Sequence, residues 1–248
     1  TGGMSHPETG STGDGFDWLR ALGHTVLSPT PTIVPLAVRE QWVKKLAGVT
    51  LKGVKISFFL DSKKQFSRTG NILFTHFGVS GPVILNSAGK VGDMLHAGLV
   101  TAKIDMRPAD NEQDAERSLI ALFDANKNKA LKSIFKEIAP PGMASHLLES
   151  MPSVSGETKV HSITKEQRKT IVHTLKSLPL TITSLMGLDR AVVVDGGVSI
   201  REIQAKTMRS TLYDNLYITG DLLHINRPTG GYSLQLCWTT GFVAGNNV

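Results

Sequence analysis

The sequence predicts a mixed α/β chain, α+β overall, in which strand-rich segments flank a helix-rich one. Apolar and polar residues alternate over residues 54–60, which indicates a half-buried strand because successive strand side chains point to opposite faces. Over residues 111–177 the apolar residues instead recur at helical spacing. Strand-like runs return at 191–194. This order predicts a small helical subdomain between strand-rich segments.

The composition is that of a folded globular protein. Of the 248 residues, 40% are hydrophobic and 19% are charged. The single cysteine, Cys237, excludes a disulfide framework and suits a reducing cytoplasm. No apolar run approaches the roughly 20 residues that span a bilayer, so we expect a cytoplasmic protein with no membrane partner. The histidines lack metal-ligand spacing, and no metal site is expected. Because the chain opens on Thr1, we expect a piece of a longer protein.

The net charge of +6 is concentrated in one stretch, residues 39–68. Its cations are Arg39, Lys44, Lys45, Lys52, Lys55, Lys63, Lys64 and Arg68, and only Glu40 and Asp61 oppose them. One interpretation is a docking surface for a nucleic acid or an anionic cofactor. The alternative is a solvated β-hairpin with outward lysines, which the scarcity of interleaved aromatic residues favours.

The chain begins with a glycine-rich loop, TGGMSHPETGSTGDG, over residues 1–15. Phe16, Leu19 and Leu22 follow at helical spacing, and Gly23 is a stop signal. The N-terminus of such a helix favours negative charge. The loop is therefore a candidate ligand loop, with an ordinary surface loop as the alternative.

The middle of the chain predicts two further strands and four helices. Residues 70–85 begin as a strand, break at Gly78 and restart as a helix, with Ser80 as a cap. Ser80 is not read as a nucleophile, because its surroundings do not match G-x-S-x-G. A strand is predicted at 100–106. Helical periods cover 115–123, 130–138 and 164–178, and the last begins with a capping-box spacing from Thr164 to Gln167.

The C-terminal part predicts a second ligand loop. DGGVSIREI indicates a turn followed by a strand, and residues 215–221 indicate a buried parallel strand that ends at Asp221. Gly230 and Gly231 then precede a helix that runs to Val243. Asp221 can accept hydrogen bonds from sugar-like hydroxyls, and the helix N-terminus can stabilise an anionic ring. A strand-end aspartate satisfied within the protein is the alternative.

Four motifs now identify a family resemblance. TGGMSHPETGSTGDG, TGNILFTHFGVSGP, DGGVSIREI and LYITGDLLHINRPTGGYSLQ occur in this order. Together they closely resemble the HI0933-like, or aminoacetone-oxidase-like, family of FAD-binding flavoproteins. The first motif also resembles an element of fumarate reductase-type flavoproteins.

The resemblance implies an incomplete Rossmann-like FAD domain interrupted by a β-barrel-like module with a helical insert. The implied segments are 1–30 and 213–248 for the FAD domain, 31–110 and 187–212 for the β-rich module, and 111–186 for the helical insert. Such flavoproteins open with G-x-G-x-x-G, which this sequence lacks. We therefore expect the N-terminal nucleotide-binding segment to be missing and the chain alone to be inactive.

The resemblance also implies which residues bind FAD. They are Gly2, Gly3, Thr12, Gly13, Asp14, Gly15, Gly220, Asp221, Thr229, Gly230, Gly231, Tyr232 and Ser233. By the same resemblance, Asp221 would bind the ribityl hydroxyls and the helix after Gly231 would face the flavin pyrimidine. The family often has Glu at position 221, Asn at 233, and an acidic, glycine-containing loop in place of residues 224–227. Arg227 would thus add a cation that favours an anionic substrate or the reduced flavin.

The expected activity is that of a FAD-dependent oxidoreductase acting on an unidentified small molecule. No catalytic residue is assigned, and His76 and His224 are candidates because they lie in or beside the motifs. Two alternatives remain open: a nucleic-acid-associated protein that uses the cations of residues 39–68, and a folded fragment without a cofactor.

Overall fold

The computed structural model describes residues 2–248 and divides into two compact units. The flanking unit comprises the described chain up to Leu36, Ile84–Gly92 and Leu185–Val248. The barrel unit comprises Ala37–Val83 and Asp93–Ser184. Both contain helices and strands, which confirms the mixed α/β class.

The described residues form these α-helices: α1 (Asp14–Ala21), α2 (Gln41–Lys45), α3 (Pro82–Leu85), α4 (Ala88–Ala97), α5 (Glu112–Ala125), α6 (Leu131–Ile138), α7 (Ala144–Glu149), α8 (Lys165–Lys176) and α9 (Tyr232–Gly245). The strands are β1 (Val26–Thr32), β2 (Leu36–Val38), β3 (Thr50–Leu60), β4 (Lys63–Phe74), β5 (Gly78–Ser80), β6 (Val100–Asp105), β7 (Leu178–Leu185), β8 (Val193–Val198), β9 (Ile203–Gln204) and β10 (Arg209–Ser210). Short 3₁₀ helices include Ile200–Glu202 and Gly220–Leu222.

The barrel is closed by six strands in the order β2-β5-β4-β3-β6-β7. Its inner side is built from the alternation seen in the sequence, since Val54, Ile56 and Phe58 of β3 are buried. Phe58 stacks on Phe66 of β4, with ring centroids 4.8 Å apart. Closure leaves no free sheet edge, and the predicted β-barrel is confirmed.

The helices α5 to α8 follow the barrel strand β6. The Thr164 side chain accepts a hydrogen bond from the Gln167 N–H, and the Gln167 side chain accepts one from the Thr164 N–H. This is the predicted capping box at the start of α8. The helical pattern was expected to continue to residue 178, but α8 ends at Lys176 and residues 178–185 form β7. The reason is tertiary, because β7 completes the barrel by pairing with β6.

The flanking unit is organised around the antiparallel pair of β1 and β8. Its apolar core consists of Leu19, Val198, Ile203, Met208, Ile218, Leu223 and Ala244. Helix α1 contributes Leu19 and helix α9 contributes Ala244, so residues from both ends of the chain share one core.

Two sequence expectations are wrong in detail. Residues 215–221 do not form a strand: Tyr217 makes a single antiparallel bridge, and Gly220–Leu222 is a 3₁₀ helix. DGGV is not a turn but part of β8. Glycine is required at position 197 of this strand because a Cβ there would lie 2.5 Å from the Leu222 carbonyl oxygen. Gly197 therefore allows the two backbone segments to approach closely. Ser80 itself lies in β5, where it pairs with Leu73.

Candidate functional site

All thirteen residues implied by the resemblance belong to the flanking unit. Gly3, Gly13, Gly15 and Gly220 are buried; Asp221, Thr229 and Ser233 are half-buried; Gly2, Thr12, Asp14, Gly230, Gly231 and Tyr232 are exposed. The opening loop lies against the turn that contains Asp221. A Cβ added at Gly3 would lie 3.4 Å from Asp221 Cβ, and one added at Gly15 would lie 2.8 Å from Leu222 Cδ2. The structure therefore brings the opening loop against the Gly220–Leu222 turn.

The entry to α9 leaves backbone donors without a side-chain cap. Gly231 is the N-cap residue, with φ of 87°, and makes no side-chain capping bond. A Cβ added there would meet nothing within 4 Å. The preceding Thr229 N–H is held by Asn86 Oδ1 at 2.8 Å. Uncapped N–H groups at a helix start favour an electron-rich partner.

Asp221 and Arg227 form an ion pair inside the unit. Arg227 Nη1 lies 3.3 Å from Asp221 Oδ1, and the Arg227 side chain is only 4% exposed. The one hydrogen bond that Arg227 makes among the described residues runs from Nη2 to the Val194 carbonyl at 3.5 Å. The guanidinium therefore balances the charge of Asp221, and its effect on a nearby ligand is smaller than that of a free cation.

Several polar atoms around this pair lack hydrogen-bond partners. In the described chain, seven buried side-chain N or O atoms have none, and four of them lie between residues 221 and 227: Asp221 Oδ1, His224 Nδ1, Arg227 Nε and Arg227 Nη1. Buried polar groups in native proteins are nearly always hydrogen-bonded, so such a cluster calls for an explanation. A ligand rich in hydroxyl and carbonyl groups, such as a ribityl-flavin, has the donors and acceptors that these atoms need, and in this respect the residues fit FAD.

Cys237 and Thr240 are site-supporting residues that sequence reasoning missed. The Gly220 N–H donates to Thr240 Oγ1 at 3.0 Å, and a Cβ at Gly220 would lie 3.1 Å from Cys237 Sγ. Both residues project from α9 toward the same turn. Burial, together with the nearby Asp221 carboxylate, raises the pKa of the Cys237 thiol. The thiol is therefore a packing group rather than a reactive nucleophile. The spacing of three residues between Cys237 and Thr240 was the sequence signal that could have identified them as neighbours on one side of α9.

The two candidate histidines differ in their surroundings. His224 belongs to the cluster, where its Nδ1 lies 3.5 Å from Asp195 Oδ1. His76 is exposed in the barrel unit, in the turn between β4 and β5. The structure therefore places only His224 among the implied flavin-binding residues.

A second polar cluster, formed by His24, Glu202 and Ser210, was not foreseen. His24 Nδ1 donates to Glu202 Oε2 at 2.8 Å, and His24 Nε2 lies 3.0 Å from Ser210 Oγ. These contacts resemble those of a hydrolase triad. Ser210 is only 1% exposed, however, and its Oγ already accepts the N–H groups of Leu212 and Tyr213. The hydroxyl therefore donates to His24, and the cluster joins distant segments instead of presenting a nucleophile.

Two features are absent from the described residues. No group of three or more His, Cys, Asp or Glu side chains lies close enough to hold a metal ion. None of the described helices has both the length and the apolar character needed to cross a membrane.

The sequence is similar to three characterised bacterial proteins. It is 28% identical over 245 residues to the 3-dehydro-bile acid delta(4,6)-reductase of Clostridium scindens, covering 98% of this chain and 59% of the relative. It is 27% identical to the ribosomal RNA dihydrouridine synthase of Haemophilus influenzae, covering 98% and 57%. The protein of the same name from Escherichia coli is 25% identical, with coverage of 100% and 59%. The chain thus spans less than two thirds of each relative's length.

A family model described as the HI0933-like protein barrel and H2TH domain matches residues 30–193. This match covers more than half of the chain and contains every strand of the closed barrel. On that basis the chain belongs to the HI0933-like family.

Proposed function

We propose that this chain is the larger part of a FAD-dependent oxidoreductase whose flanking unit holds the flavin. The observation that carries the proposal is the cluster of buried polar atoms without hydrogen bonds at Asp221, His224 and Arg227, beside the uncapped start of α9. The reductase name of one relative supports the same class of chemistry. Because the chain spans only 57–59% of these relatives, the activity of the whole protein is part of this proposal.

Each part of the cluster has a role in this proposal. The carboxylate of Asp221 would accept hydrogen bonds from ribityl hydroxyls, and Gly2 and Gly3 would let the backbone approach the cofactor. The N–H groups at Gly231, Tyr232 and Ser233 would stabilise negative charge on the ring. The bound flavin would supply the hydride or electron transfer. Thr12, Gly13, Asp14 and Gly15 would shape the opposite loop, and Gly220 and Thr229 would fix the backbone on either side of Asp221.

The domain limits and location follow as part of the same proposal. Segments 1–30 and 213–248 would form the cofactor-binding part, and the nucleotide half of FAD would be bound by a segment outside this sequence. The chain alone would then be inactive in turnover. One packed, unreactive cysteine is compatible with a reducing cytoplasm, where we place the protein.

A flavin titration of the 248-residue chain tests this function. FAD is added, the sample is desalted, and flavin fluorescence and visible absorption are recorded. We expect binding that Asp221→Asn weakens. The matched control is Asp214→Asn, because Asp214 lies in the same unit with its side chain 95% exposed. FAD binding that Asp221→Asn leaves unchanged would contradict the proposed flavin site. A chain that is folded by circular dichroism but binds no FAD would mean that the segment outside this sequence is needed to complete the site.

A second candidate function is nucleic-acid binding by the barrel unit. Two relatives are named ribosomal RNA dihydrouridine synthases. None of the eight cations between Arg39 and Arg68 makes an ion pair within the part of the chain that the structure describes. Steep loss of RNA binding with added salt would support this function, and no binding at low salt would remove it.

A further inference from the structure

The outward side of the barrel strands β4, β3 and β6 presents an ordered set of polar side chains. Strand register gives three adjacent rows: Lys64, Phe59 and Thr101; Ser67, Ser57 and Lys103; Thr69, Lys55 and Asp105. The residues that alternate with them on β3 and β6 are buried inside the barrel. We call these nine residues the outer face.

The outer face is positively charged. Lys64 and Lys103 are exposed, and Lys55 is half-buried. None of these lysines forms an ion pair with another described residue. The single acid of the face, Asp105, is engaged by Lys176, whose Nζ lies 2.9 Å from Oδ2. Three uncompensated cations therefore remain on one sheet surface.

The outer face also carries an aromatic ring between its cations. Phe59 is half-buried and is the cross-strand neighbour of Lys64. Lys103 Nζ lies over its ring, 5.5 Å from the centroid. An aromatic ring flanked by lysines is the arrangement on which unpaired bases stack while their phosphates are neutralised. The scarcity of aromatic residues in the sequence argued against nucleic-acid binding, whereas the structure places an aromatic ring among the lysines of this face.

The serines and threonines of the outer face are small side chains that can form hydrogen bonds. Ser57, Ser67 and Thr101 are half-buried, and Thr69 is exposed. Hydroxyl groups of this kind contact phosphate and sugar oxygens in nucleic-acid complexes. Lys55 and Phe59 are four residues apart on β3, about 13 Å along the strand. The outer face is therefore long enough to contact an extended polyanion, and it is larger than a site for a single phosphate needs to be.

From these observations, we propose that the outer face of β4, β3 and β6 is a docking surface for single-stranded RNA. Lys55, Lys64 and Lys103 neutralise phosphates, and Phe59 stacks on a base. The proposal rests on the second candidate function, to which it assigns a surface, and it requires no flavin. An anionic lipid surface would use the same cations but would gain nothing from the ring or the hydroxyls.

The test is binding of a fluorescein-labelled single-stranded oligoribonucleotide of about 16 nucleotides, followed by fluorescence anisotropy at several salt concentrations. For the three phosphate contacts, the slope of log K against log salt is expected to be about −2 or steeper. The triple variant Lys55→Gln, Lys64→Gln, Lys103→Gln should weaken binding at least about tenfold and flatten that slope. Phe59→Ala should weaken it about fivefold or more, and Phe59→Tyr should restore it.

A matched control distinguishes binding at this face from a general effect of positive charge. The variant Lys136→Gln, Lys165→Gln, Lys169→Gln removes the same charge from exposed helical positions of the same unit. It should bind RNA nearly as well as the unmodified chain. Equal losses in both triple variants would overturn the assigned face while leaving RNA binding itself intact. Absence of binding at low salt, or binding only to phosphatidylserine vesicles, would overturn both the face and the second candidate function.

Discussion

His24 Nδ1 donates a hydrogen bond to Glu202 Oε2 at 2.8 Å, across 178 positions of sequence. The histidine side chain is fully buried and the glutamate side chain is 22% exposed. The same carboxylate accepts the Thr25 N–H at 3.0 Å. Glu202 therefore holds the segment after α1 against the Ile200–Glu202 turn, and the flanking unit depends on its charged form.

The stability of the flanking unit should depend on pH through Glu202. Hydrogen bonds from Thr25 and His24 lower the pKa of this carboxyl below 4.5 in the folded protein. Its contribution is therefore complete above the unfolded value, about 4.3, and is lost as pH falls through the lower folded value. Glu202→Gln should lower the melting temperature at pH 7 by a few degrees, for a loss of about 1 kcal/mol.

The measurement is a set of melting curves by circular dichroism at several pH values. The difference between the unmodified chain and Glu202→Gln should shrink as the pH drops below about 4. Glu137→Gln, at an exposed position of α6, serves as the control. A difference that stays constant down to pH 3 would show that the charge of Glu202 does not contribute.

Ser210 should be a structural residue and not a nucleophile. Its Oγ accepts two backbone N–H groups and its hydroxyl donates to His24. Ser210→Ala leaves these buried groups unpaired and should cost about 1–3 kcal/mol in the free energy of unfolding. Urea denaturation measures this cost, with Ser145→Ala at an exposed position as the control.

The same residue allows a chemical test. Diisopropyl fluorophosphate labels activated serines, and mass spectrometry of the treated chain should show no adduct at Ser210. Labelling at Ser210 in the folded chain would mean that the hydroxyl is accessible and activated, contrary to its burial.

Gly197 should tolerate no side chain, because it lets β8 approach the turn that carries Asp221. Its φ is 108°, and a Cβ would lie 2.5 Å from the Leu222 carbonyl oxygen. Gly197→Ala should therefore destabilise the protein by about 1–3 kcal/mol or more. It should also displace Leu222, and so weaken any flavin binding at the neighbouring Asp221.

Gly23→Ala separates the effect of the positive φ from the effect of the close approach to Leu222. Gly23 has a similar φ of 88°, but a Cβ there would meet nothing within 4 Å. The difference between the two variants in urea denaturation measures the cost of placing a side chain at Gly197 beyond the cost of a positive φ. Equal effects would mean that backbone conformation, and not the close approach, explains the requirement for glycine at 197.

The elements with a regular local pattern were predictable from sequence. The alternation along β3 and the capping box at Thr164 depend on neighbouring residues, and both are present. β7 and the 3₁₀ helix Gly220–Leu222 were not predictable in this way. β7 exists because the barrel needs a sixth strand beside β6, and Gly220–Leu222 is fixed by contacts with Gly15 and Thr240.

The site shows the same division. The resemblance pointed to Asp221 and to the glycines before α9, and the structure brings Gly3 and Gly15 to the turn that contains Asp221. The resemblance could not reveal the ion pair between Arg227 and Asp221, because the sequence of a loop does not determine the direction of its arginine side chain. His24 and Ser210 are 186 positions apart, and no spacing rule connects them.

Lys176 should be among the most sensitive positions of the barrel unit. Its Nζ donates to both carboxylate oxygens of Asp105 and to the carbonyl oxygens of Arg107 and Asp110. The Lys176 side chain is only 11% exposed. Removal of the ammonium leaves Asp105 partly buried without a counter-charge, so Lys176→Met should cost on the order of 3 kcal/mol.

The control is Lys63→Met, because Lys63 lies exposed at the tip of the β3–β4 hairpin and has no ion pair among the described residues. It should change the free energy of unfolding by less than about 0.5 kcal/mol. The double variant Asp105→Asn, Lys176→Met should recover part of the loss, because the unpaired charge is gone. If the double variant is less stable than Lys176→Met alone, the carbonyl contacts of Lys176, rather than its pairing with Asp105, hold β6 to the end of α8.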